Sequence, residues 1–284
     1  MVAGQRRRQT VFGEAVEEYD AGRPGYPEEL AADVLAYAGL GPAAAPWPAV
    51  EVGAGTGKAT ALFTGRGLQL TCVEPDPRMA AVLRRNVRDF ADVTVADGPF
   101  ETWEPPAGAR PRLLISAQAW HWVDPALRWG KAARLLTPGG TIALWWNGFA
   151  VASDQLRAAL RAIHEEHGMP ELSGNTLDPD TVADPAGRPA SAAAGAEAEA
   201  EWPLSDLAAD ARFTSLERKA YRRRLTLTPR LYTDLLTSMS AYRLLADPVR
   251  AALLADLAVA AEAGGSVPLD VATRLYLART APVG

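Results

Sequence analysis

The chain has 284 residues, a formal net charge of −5, 48% hydrophobic residues and 22% charged residues, a composition typical of soluble globular proteins. It contains no apolar run of the roughly 20 residues that a membrane-spanning helix needs. Because no apolar stretch follows the basic start MVAGQRRRQT, we expect a cytoplasmic protein without a secretory signal. The single cysteine, Cys72, excludes an internal disulfide and a multi-cysteine metal site, and the acidic charge argues against a nucleic-acid partner.

The first 150 residues change from a helical pattern to an alternating one. Residues 10–40 have helical periodicity with a break at 22–27. Short apolar strands are then predicted at 49–52, 68–73, 93–96, 112–116 and 141–146, with helices between them at 58–66, 77–90 and 125–136. Strands that alternate with helices in this way predict parallel βαβ units with both faces of the sheet covered.

The alternation stops after Asn147. An amphipathic helix is predicted at 151–167, and the alanine- and glutamate-rich stretch 170–200 is expected to be mobile or a marginal helix. A strand at 217–227, helices at 229–242 and 248–263 and a strand at 267–277 follow. The last two strands can close the sheet as an antiparallel pair at its edge.

A glycine-rich loop, AVEVGAGTGKAT, joins the first predicted strand to the next helix. A dinucleotide fingerprint needs G-x-G-x-x-G, but the sixth position counted from Gly53 is Lys58, and the sixth from Gly55 is Thr60. The P-loop pattern G-x-x-x-x-G-K-[ST] is also missing. The glycines therefore predict a loop whose backbone approaches a ligand closely, without the spacing of a pyrophosphate site.

Polar groups at the ends of the next strands extend this candidate site. Glu74 ends the second strand, twenty-one residues after Gly53, where a carboxylate can accept hydrogen bonds from both ribose hydroxyls of a nucleoside. The alternative is a solvated acid at a strand end. After the third strand, Asp97 is placed to reach an adenine amino group and Phe100 to lie against the ring. After the fourth, Ala117 and Gln118 would line the rest of the ligand.

The motifs VEVGAGTGKAT, VEPDP, AQAWHWVDP and LLTPGG together resemble class I methyltransferases of the type 11 group, and the upstream YDAGRPGYP is similar to the lead-in of the same group. The resemblance implies an α/β, Rossmann-like sheet of seven strands in the order 3-2-1-4-5-7-6, the last antiparallel. It also implies S-adenosylmethionine as the cofactor.

The same resemblance assigns cofactor-binding roles to particular residues. It implies that a set from the glycine motif shapes the methionine and ribose pocket: Glu51, Gly53, Ala54, Gly55 and Gly57. Glu74 corresponds to the ribose-binding acid and Pro75 follows it as usual. One departure is Pro99, which stands where members often carry an acid before the residue aligned with Phe100. Tyr19 and Arg23 are expected to fold over the cofactor from a helical lid, with the alternative that Arg23 is solvated.

Other side chains are candidates for the transfer step. His121 follows the fourth strand and is the best candidate for a general base; the alternative is a structural histidine packed between tryptophans. Trp122 and Trp146 are candidates for an aromatic wall at the mouth of a substrate pocket. His164 and His167 share a helix face but provide too few ligands for a metal, so we expect no metal and a solvated pair.

We thus predict methylation of a small molecule, with a role in specialised metabolism. The expected division is a lead-in or lid at 1–48, a cofactor-binding core at 49–150, a variable substrate cap at 151–215 and completing strands and helices at 216–284. The alternatives are non-methyl-transfer chemistry such as cyclisation on the same cofactor, a non-catalytic binding module, and a nicotinamide oxidoreductase. Partners are expected to be a small-molecule substrate, with no nucleic acid and no membrane; the oligomeric state, including a homodimer, stays open.

Overall fold

Seven strands form one mixed sheet in the computed structural model, which describes residues 16–41, 46–106, 108–172 and 202–282. In chain order the strands are β1 Trp47–Val52, β2 Leu68–Glu74, β3 Val93–Asp97, β4 Leu113–Ala117, β5 Thr141–Val151, β6 Phe213–Leu227 and β7 Val267–Thr280. Their spatial order is β3-β2-β1-β4-β5-β7-β6. Strands β1 to β5 pair in parallel and β7 runs antiparallel between β5 and β6. The predicted fold class and strand order are confirmed.

Ten helices of the described residues accompany the sheet. They are α1 Val16–Gly22, α2 Glu28–Ala38, α3 Thr60–Phe63, α4 Pro77–Val87, α5 Arg128–Leu135, α6 Asp154–Glu166, α7 Leu204–Ala209, α8 Pro229–Thr237, α9 Ser240–Arg243 and α10 Asp247–Ala263. Both faces of the sheet are buried: in β4, Leu113 and Ile115 belong to one apolar cluster and Leu114 to another. This two-sided burial explains why the central strands are apolar at nearly every position.

Several predicted bounds were wrong. The fifth strand does not end at Trp146 but continues to Val151, and all eleven residues are buried and paired with β7. The helix predicted at 58–66 is confined to Thr60–Phe63, because the glycine loop takes up its first turn. The helix predicted at 229–242 is two helices, α8 and α9. Most of the stretch 170–200 lies outside the described residues.

The prediction of a solvated His164 was also wrong. Its side chain is fully buried in a cluster beside the end of β5, and its two ring nitrogens lie 2.7 Å from the Leu160 carbonyl oxygen and 2.8 Å from Tyr242 Oη. Because a carbonyl only accepts, Nδ1 carries the proton and Nε2 accepts from the tyrosine. His167 is half-buried and pairs with Asp256 at 2.7 Å.

We expect Tyr242→Phe to lower the free energy of unfolding by about 1 to 3 kcal/mol, because it leaves the buried His164 Nε2 without its donor. Chemical denaturation monitored by circular dichroism measures this. Asp256→Asn is the control, since the Asp256 carboxylate is exposed and such surface pairs contribute roughly 0 to 1 kcal/mol. Equal stabilities of the Tyr242 variant and the wild type would contradict the prediction.

Two kinds of feature are missing from the described residues. None of the helices there is both long and apolar enough to cross a membrane. In the same residues, no three histidine, cysteine, aspartate or glutamate side chains come together as a metal site would require.

Candidate functional site

The loop between β1 and α3 depends on glycine at specific positions. Gly53, Gly55 and Gly57 have φ values of +68°, +60° and +95°, in the left-handed region that residues with a Cβ rarely adopt. A Cβ on Gly53 would lie 2.4 Å from Ala119 Cβ, and one on Gly57 would lie 2.7 Å from Leu83 Cδ1. The loop is therefore a bare backbone turn pressed against its neighbours, as the motif predicted.

Glu74 holds this loop from the end of the adjacent strand. Its side chain is buried, with Oε2 accepting from the Gly55 amide at 2.8 Å and Oε1 accepting from the Asp76 amide at 2.9 Å. Burial raises the pKa of Glu74 to about 7. The predicted acid thus points at the glycine loop, and the alternative of a solvated strand-end acid was wrong. Pro75 links it to Asp76, which caps α4.

Glu51, at the start of the motif, lies beneath the loop. Its Oε2 accepts from Thr60 Oγ1 at 2.7 Å and from Cys72 Sγ at 3.6 Å. Its Oε1 is buried and has no hydrogen-bond partner in the described part of the chain, and the same holds for Thr56 Oγ1. Burial raises the pKa of Glu51 to about 7. Two buried polar atoms next to the loop are thus available to a ligand.

The burial of Glu51 makes folding dependent on pH. A carboxyl whose pKa is raised to about 7 binds more protons in the native than in the unfolded state, so its contribution is fully present below its ordinary pKa. That contribution is lost as the pH rises from the ordinary pKa of 4.5 to the native value of about 7. We therefore expect the free energy of unfolding to fall between about pH 4.5 and pH 7, and Glu51→Gln to flatten this slope.

Urea denaturation at several pH values, without ligand, measures the slope. Glu104→Gln is the matched control, because ion pairs with Arg134 and Lys131 hold the pKa of the exposed Glu104 near 2, far below the tested range. An unchanged slope in Glu51→Gln would refute the assignment. Because the pKa of Glu74 is also raised, the free energy of unfolding of Glu51→Gln should still fall with pH, but less steeply than that of the wild type.

A pocket opens above the loop at the carboxyl ends of the parallel strands, where ligands of open α/β sheets bind. Its space is about 370 Å³ including the mouth. Three separate segments contribute its lining residues: Arg23, Pro24 and Tyr26 from the lead-in, Gly53, Ala54, Thr56, Lys58 and Ala59 from the loop and α3, and Ala117 and Gln118 from the end of β4. Five of the predicted cofactor-binding residues are therefore brought together here.

The lead-in is fixed over the pocket by distant parts of the chain. Arg23 donates from Nε to Ser238 Oγ at 2.9 Å and from Nη2 to the Ser238 carbonyl at 3.1 Å. Asn147 Nδ2 donates to the Gly25 carbonyl at 3.2 Å. A Cβ on Gly22 would meet the Leu235 amide nitrogen at 2.5 Å, so α1 approaches α8 closely. The alternative of a solvated Arg23 was thus wrong.

Lys58 is a pocket residue that the motif analysis did not single out. Its Nζ lies 4.0 Å from Asp20 Oδ1 on α1, which connects the glycine loop to the lead-in. Burial lowers the pKa of Lys58. Thr56 was missed as well, and Asn86 Nδ2 fixes its backbone by donating to the Thr56 carbonyl at 2.9 Å. Both occupy positions between or beside the motif glycines, where the pattern leaves the residue type open.

Gln118 closes the pocket at the end of β4. It has a φ of +58°, a strained value for a residue with a side chain. Its backbone amide donates to the Trp145 carbonyl at 2.9 Å, and its Nε2 donates to the Asn147 carbonyl at 3.2 Å. The strained backbone is thus held in place by the extended β5.

His121 lies in the short 3₁₀ helix Trp120–Trp122 that follows β4. Trp146 Nε1 donates to its Nδ1 at 3.2 Å, and its ring is 4.7 Å from that of Trp122. Burial, with the positive charges of Arg128 and Arg23, lowers the pKa of His121 to about 3. The ring is therefore neutral at physiological pH, with its proton on Nε2, and can donate a hydrogen bond from there.

The remaining predicted residues lie as follows. Trp146 is 3% exposed and packs on Trp202 and Tyr276, whereas Trp122 is half-buried.

Asp97 is exposed and pairs with Arg84 at 2.6 Å. Phe100 is buried against Trp120. Tyr19 falls in α1, but its side chain is outside the described residues. Their proposed roles stay predictions.

Comparison with known proteins assigns one part of the chain to a family. Residues 50–144 match the family described as a methyltransferase domain. The chain carries a methyltransferase domain. This methyltransferase domain begins in β1, contains the glycine loop, Glu74 and His121, and ends within β5. The sequence-based recognition of a class I methyltransferase is confirmed.

Relatives of the methyltransferase domain are known in mycobacteria. Uncharacterized methyltransferases of Mycobacterium tuberculosis and Mycobacterium bovis are 38% identical over 149 residues, which is 52% of this chain and 56% of each relative. The chain thus matches little more than half the length of these relatives. The structure of a putative type II methyltransferase from Anaeromyxobacter dehalogenans is similar to this chain, with a TM-score of 0.56 at 21% identity over 92% of this chain and 99% of that one. This likeness shows a shared fold.

Proposed function

We propose that the chain binds S-adenosylmethionine and transfers its methyl group to a small molecule. The observation that carries this proposal is the hydrogen bond from the Gly55 amide to Glu74, which joins a glycine loop without room for a Cβ to an acid at the neighbouring strand's end. A nucleoside with two ribose hydroxyls and an amino-acid tail suits both ends of such a site.

The residues present fit the parts of this cofactor. Glu74 would accept from the ribose hydroxyls, because each carboxylate oxygen keeps an acceptor site beyond the amide it already binds. Arg23 and Lys58, which line the pocket, would hold the carboxylate of the methionine part. Within the described residues, Thr56 Oγ1 in the pocket lining and the buried Glu51 Oε1 have no hydrogen-bond partner. Asp97 and Phe100 remain the proposed contacts for adenine.

The proposed chemistry needs little from the protein beyond alignment. When bound, S-adenosylmethionine supplies a methyl group made electrophilic by its sulfonium. The chain must hold the acceptor in line with that methyl and exclude water, and such orientation contributes roughly 7 to 11 kcal/mol in favourable cases.

We propose that residues 1–48 act as the lid, 49–150 as the cofactor-binding core, 151–215 as the substrate cap and 216–284 as the strands and helices that complete the sheet. We also propose that the protein is a cytoplasmic enzyme of specialised metabolism.

Calorimetry with S-adenosylhomocysteine tests the cofactor assignment. We expect one binding site for S-adenosylhomocysteine and no heat from NAD, because the glycine spacing lacks the pyrophosphate fingerprint. Absence of S-adenosylhomocysteine binding would leave a non-catalytic module as the better hypothesis. Incubation with S-adenosylmethionine and an acceptor then separates the chemistries, since methyl transfer forms methylated product and S-adenosylhomocysteine in equal amounts and cyclisation does not.

A further inference from the structure

Asn147 is a buried polar residue of β5 that the proposed chemistry does not use. It pairs in register with Thr273 of β7, and its Oδ1 accepts from the buried Thr273 Oγ1 at 2.6 Å. Its Nδ2 donates to the backbone carbonyls of Pro24 at 3.3 Å and Gly25 at 3.2 Å. Because a carbonyl only accepts hydrogen bonds, these partners fix the orientation of the amide, with its nitrogen toward the lead-in.

The two carbonyls belong to a segment that is poor in backbone donors. Residues 23–27 separate α1 from α2 and form neither helix nor strand. Pro24 and Pro27 lack a backbone N–H, so they cannot donate to a local turn. The Gly25 carbonyl accepts a further hydrogen bond from Arg223 Nη2 on β6. Side chains from the sheet therefore determine where this segment of the lead-in lies.

A second segment of the pocket wall is attached to the same asparagine. Gln118 Nε2 donates to the Asn147 backbone carbonyl at 3.2 Å. Pro24 and Gln118 both line the pocket, whereas Asn147 is not one of its lining residues. The φ of +58° at Gln118 persists only where the surroundings hold the backbone in place. Asn147 thus contacts the lead-in through its side chain and the end of β4 through its backbone.

Trp145 makes the apolar counterpart of these contacts from the same side of β5, since residues two apart on a strand share a face. The ring of Tyr26 packs edge-on against the Trp145 indole, with 5.7 Å between the centroids. Aromatic pairs tolerate centroid separations of about 4.5 to 7 Å. This contact therefore brings the lead-in to the sheet without fixing the direction of its carbonyls, which is left to the Asn147 amide.

We propose that Asn147 is a positioning residue of the cofactor site, which holds the lead-in and Gln118 in the arrangement that a bound cofactor needs. This inference rests on the proposed function, because Pro24 and Gln118 line the pocket to which the cofactor is assigned. Asn147 acts through these two neighbours and contributes no group to the chemistry. The geometry of one amide outside the pocket thereby sets the affinity for the cofactor.

Asn147→Asp tests the position of the lead-in in the ligand-free protein. Aspartate has nearly the same shape, but when ionised it offers no proton to the carbonyls of Pro24 and Gly25, and when protonated it can donate to only one of them. We expect faster hydrogen exchange of the backbone amides in residues 16–28 and unchanged exchange in β1 and β2. Wild-type exchange in residues 16–28 would overturn the proposal.

Thr273→Val is the matched control. It removes the other hydrogen bond of the same buried amide but leaves both links from Asn147 to the lead-in. We expect it to lower the melting temperature, because Asn147 Oδ1 loses its donor, and to leave exchange in residues 16–28 unchanged. Equal acceleration of exchange in both variants would show a general loss of stability and overturn the proposal.

Calorimetry with S-adenosylhomocysteine connects the lead-in to cofactor affinity. We expect Asn147→Asp to bind about tenfold more weakly or worse, and Thr273→Val to bind within about threefold of the wild type. Wild-type affinity in Asn147→Asp, or an equal loss in both variants, would overturn the proposal. Failure of the wild type itself to bind would refute the proposed function, and with it the cofactor role of Asn147, even where exchange shows that Asn147 holds the lead-in.

Asn147→Ala repeats both measurements without a buried charge. Alanine removes the donor to the lead-in and adds no acceptor, so the result does not depend on whether the aspartate variant folds. We expect the same pattern, with faster exchange in residues 16–28 and weaker binding of S-adenosylhomocysteine. Wild-type exchange and affinity in this variant would overturn the proposal.

Discussion

Glu74→Gln is expected to weaken S-adenosylhomocysteine binding about a hundredfold, because two charge-assisted hydrogen bonds to the ribose would be lost at roughly 1.5 kcal/mol or more each. The substitution also turns one oxygen into an amide N–H₂ group. That group would face the backbone N–H of either Gly55 or Asp76, both of which now donate to the carboxylate. Loss of the loop's support would add to the loss of the ribose contact.

Calorimetry measures this loss, and Asp92→Asn is a matched control. Asp92 also accepts a hydrogen bond from a backbone amide, that of Gly65 at 3.2 Å, but it precedes β3 at the opposite end of the strands. The control has the same change in charge and in hydrogen bonding, and it should bind S-adenosylhomocysteine like the wild type. An affinity of Glu74→Gln within a few-fold of wild type would refute the nucleoside assignment.

Gly53→Ala is expected to abolish measurable cofactor binding and to destabilise the fold. The new Cβ would lie 2.4 Å from Ala119 Cβ, closer than two such atoms can approach, and the φ of +68° is itself unfavourable for alanine. Relief of the clash requires the glycine loop to move away from the end of β4. That movement would open the pocket between Gly53 and Ala117 and separate the groups that line it.

A control and a rescue distinguish the clash from the backbone strain. Gly65 has nearly the same φ, +67°, but a Cβ there would meet no atom of the described residues within 4 Å, so Gly65→Ala should cost only the strain of roughly 1 to 2 kcal/mol. The double variant Gly53→Ala with Ala119→Gly removes the opposing Cβ and should regain part of the binding. Calorimetry and thermal unfolding measure both effects. Wild-type binding by Gly53→Ala alone would contradict the close packing.

The central part of the site could be predicted because its residues are close to one another in the sequence and follow strand ends. The glycines follow β1 directly and Glu74 ends β2, and parallel pairing of these two strands brings the strand ends together. The spatial order of the seven strands, in contrast, could not be predicted from the residues alone. Periodicity shows which segments are strands but not which are neighbours, and the order followed from the family resemblance.

The errors have identifiable physical causes. Asn147-Gly148 is a turn signal in sequence, yet β5 continues through it because β7 supplies a paired residue at each position up to Val151. His164 was misjudged from its polarity. It lies at intervals of four from Leu156 and Leu160, both buried, so the helical spacing did place it on the inner face.

Contacts between distant segments could not be predicted from a single sequence. Arg23 and Ser238 are separated by 215 positions, and no local pattern relates them. The same is true of Trp146 and His121, whose hydrogen bond determines which ring nitrogen is left to act. The sequence therefore indicated which residues surround the site, whereas the protonation state of its histidine emerged only from tertiary structure.

The strand β6 forms one border of the sheet and runs for fifteen residues, five of them basic and only one acidic. A border of this length exposes peptide groups that another extended chain could join. Lysine and arginine in such numbers make that joining costly, since a second copy would bring the same charges alongside. We therefore expect the arginine-rich strand to disfavour the edge-to-edge addition of a second copy of this chain.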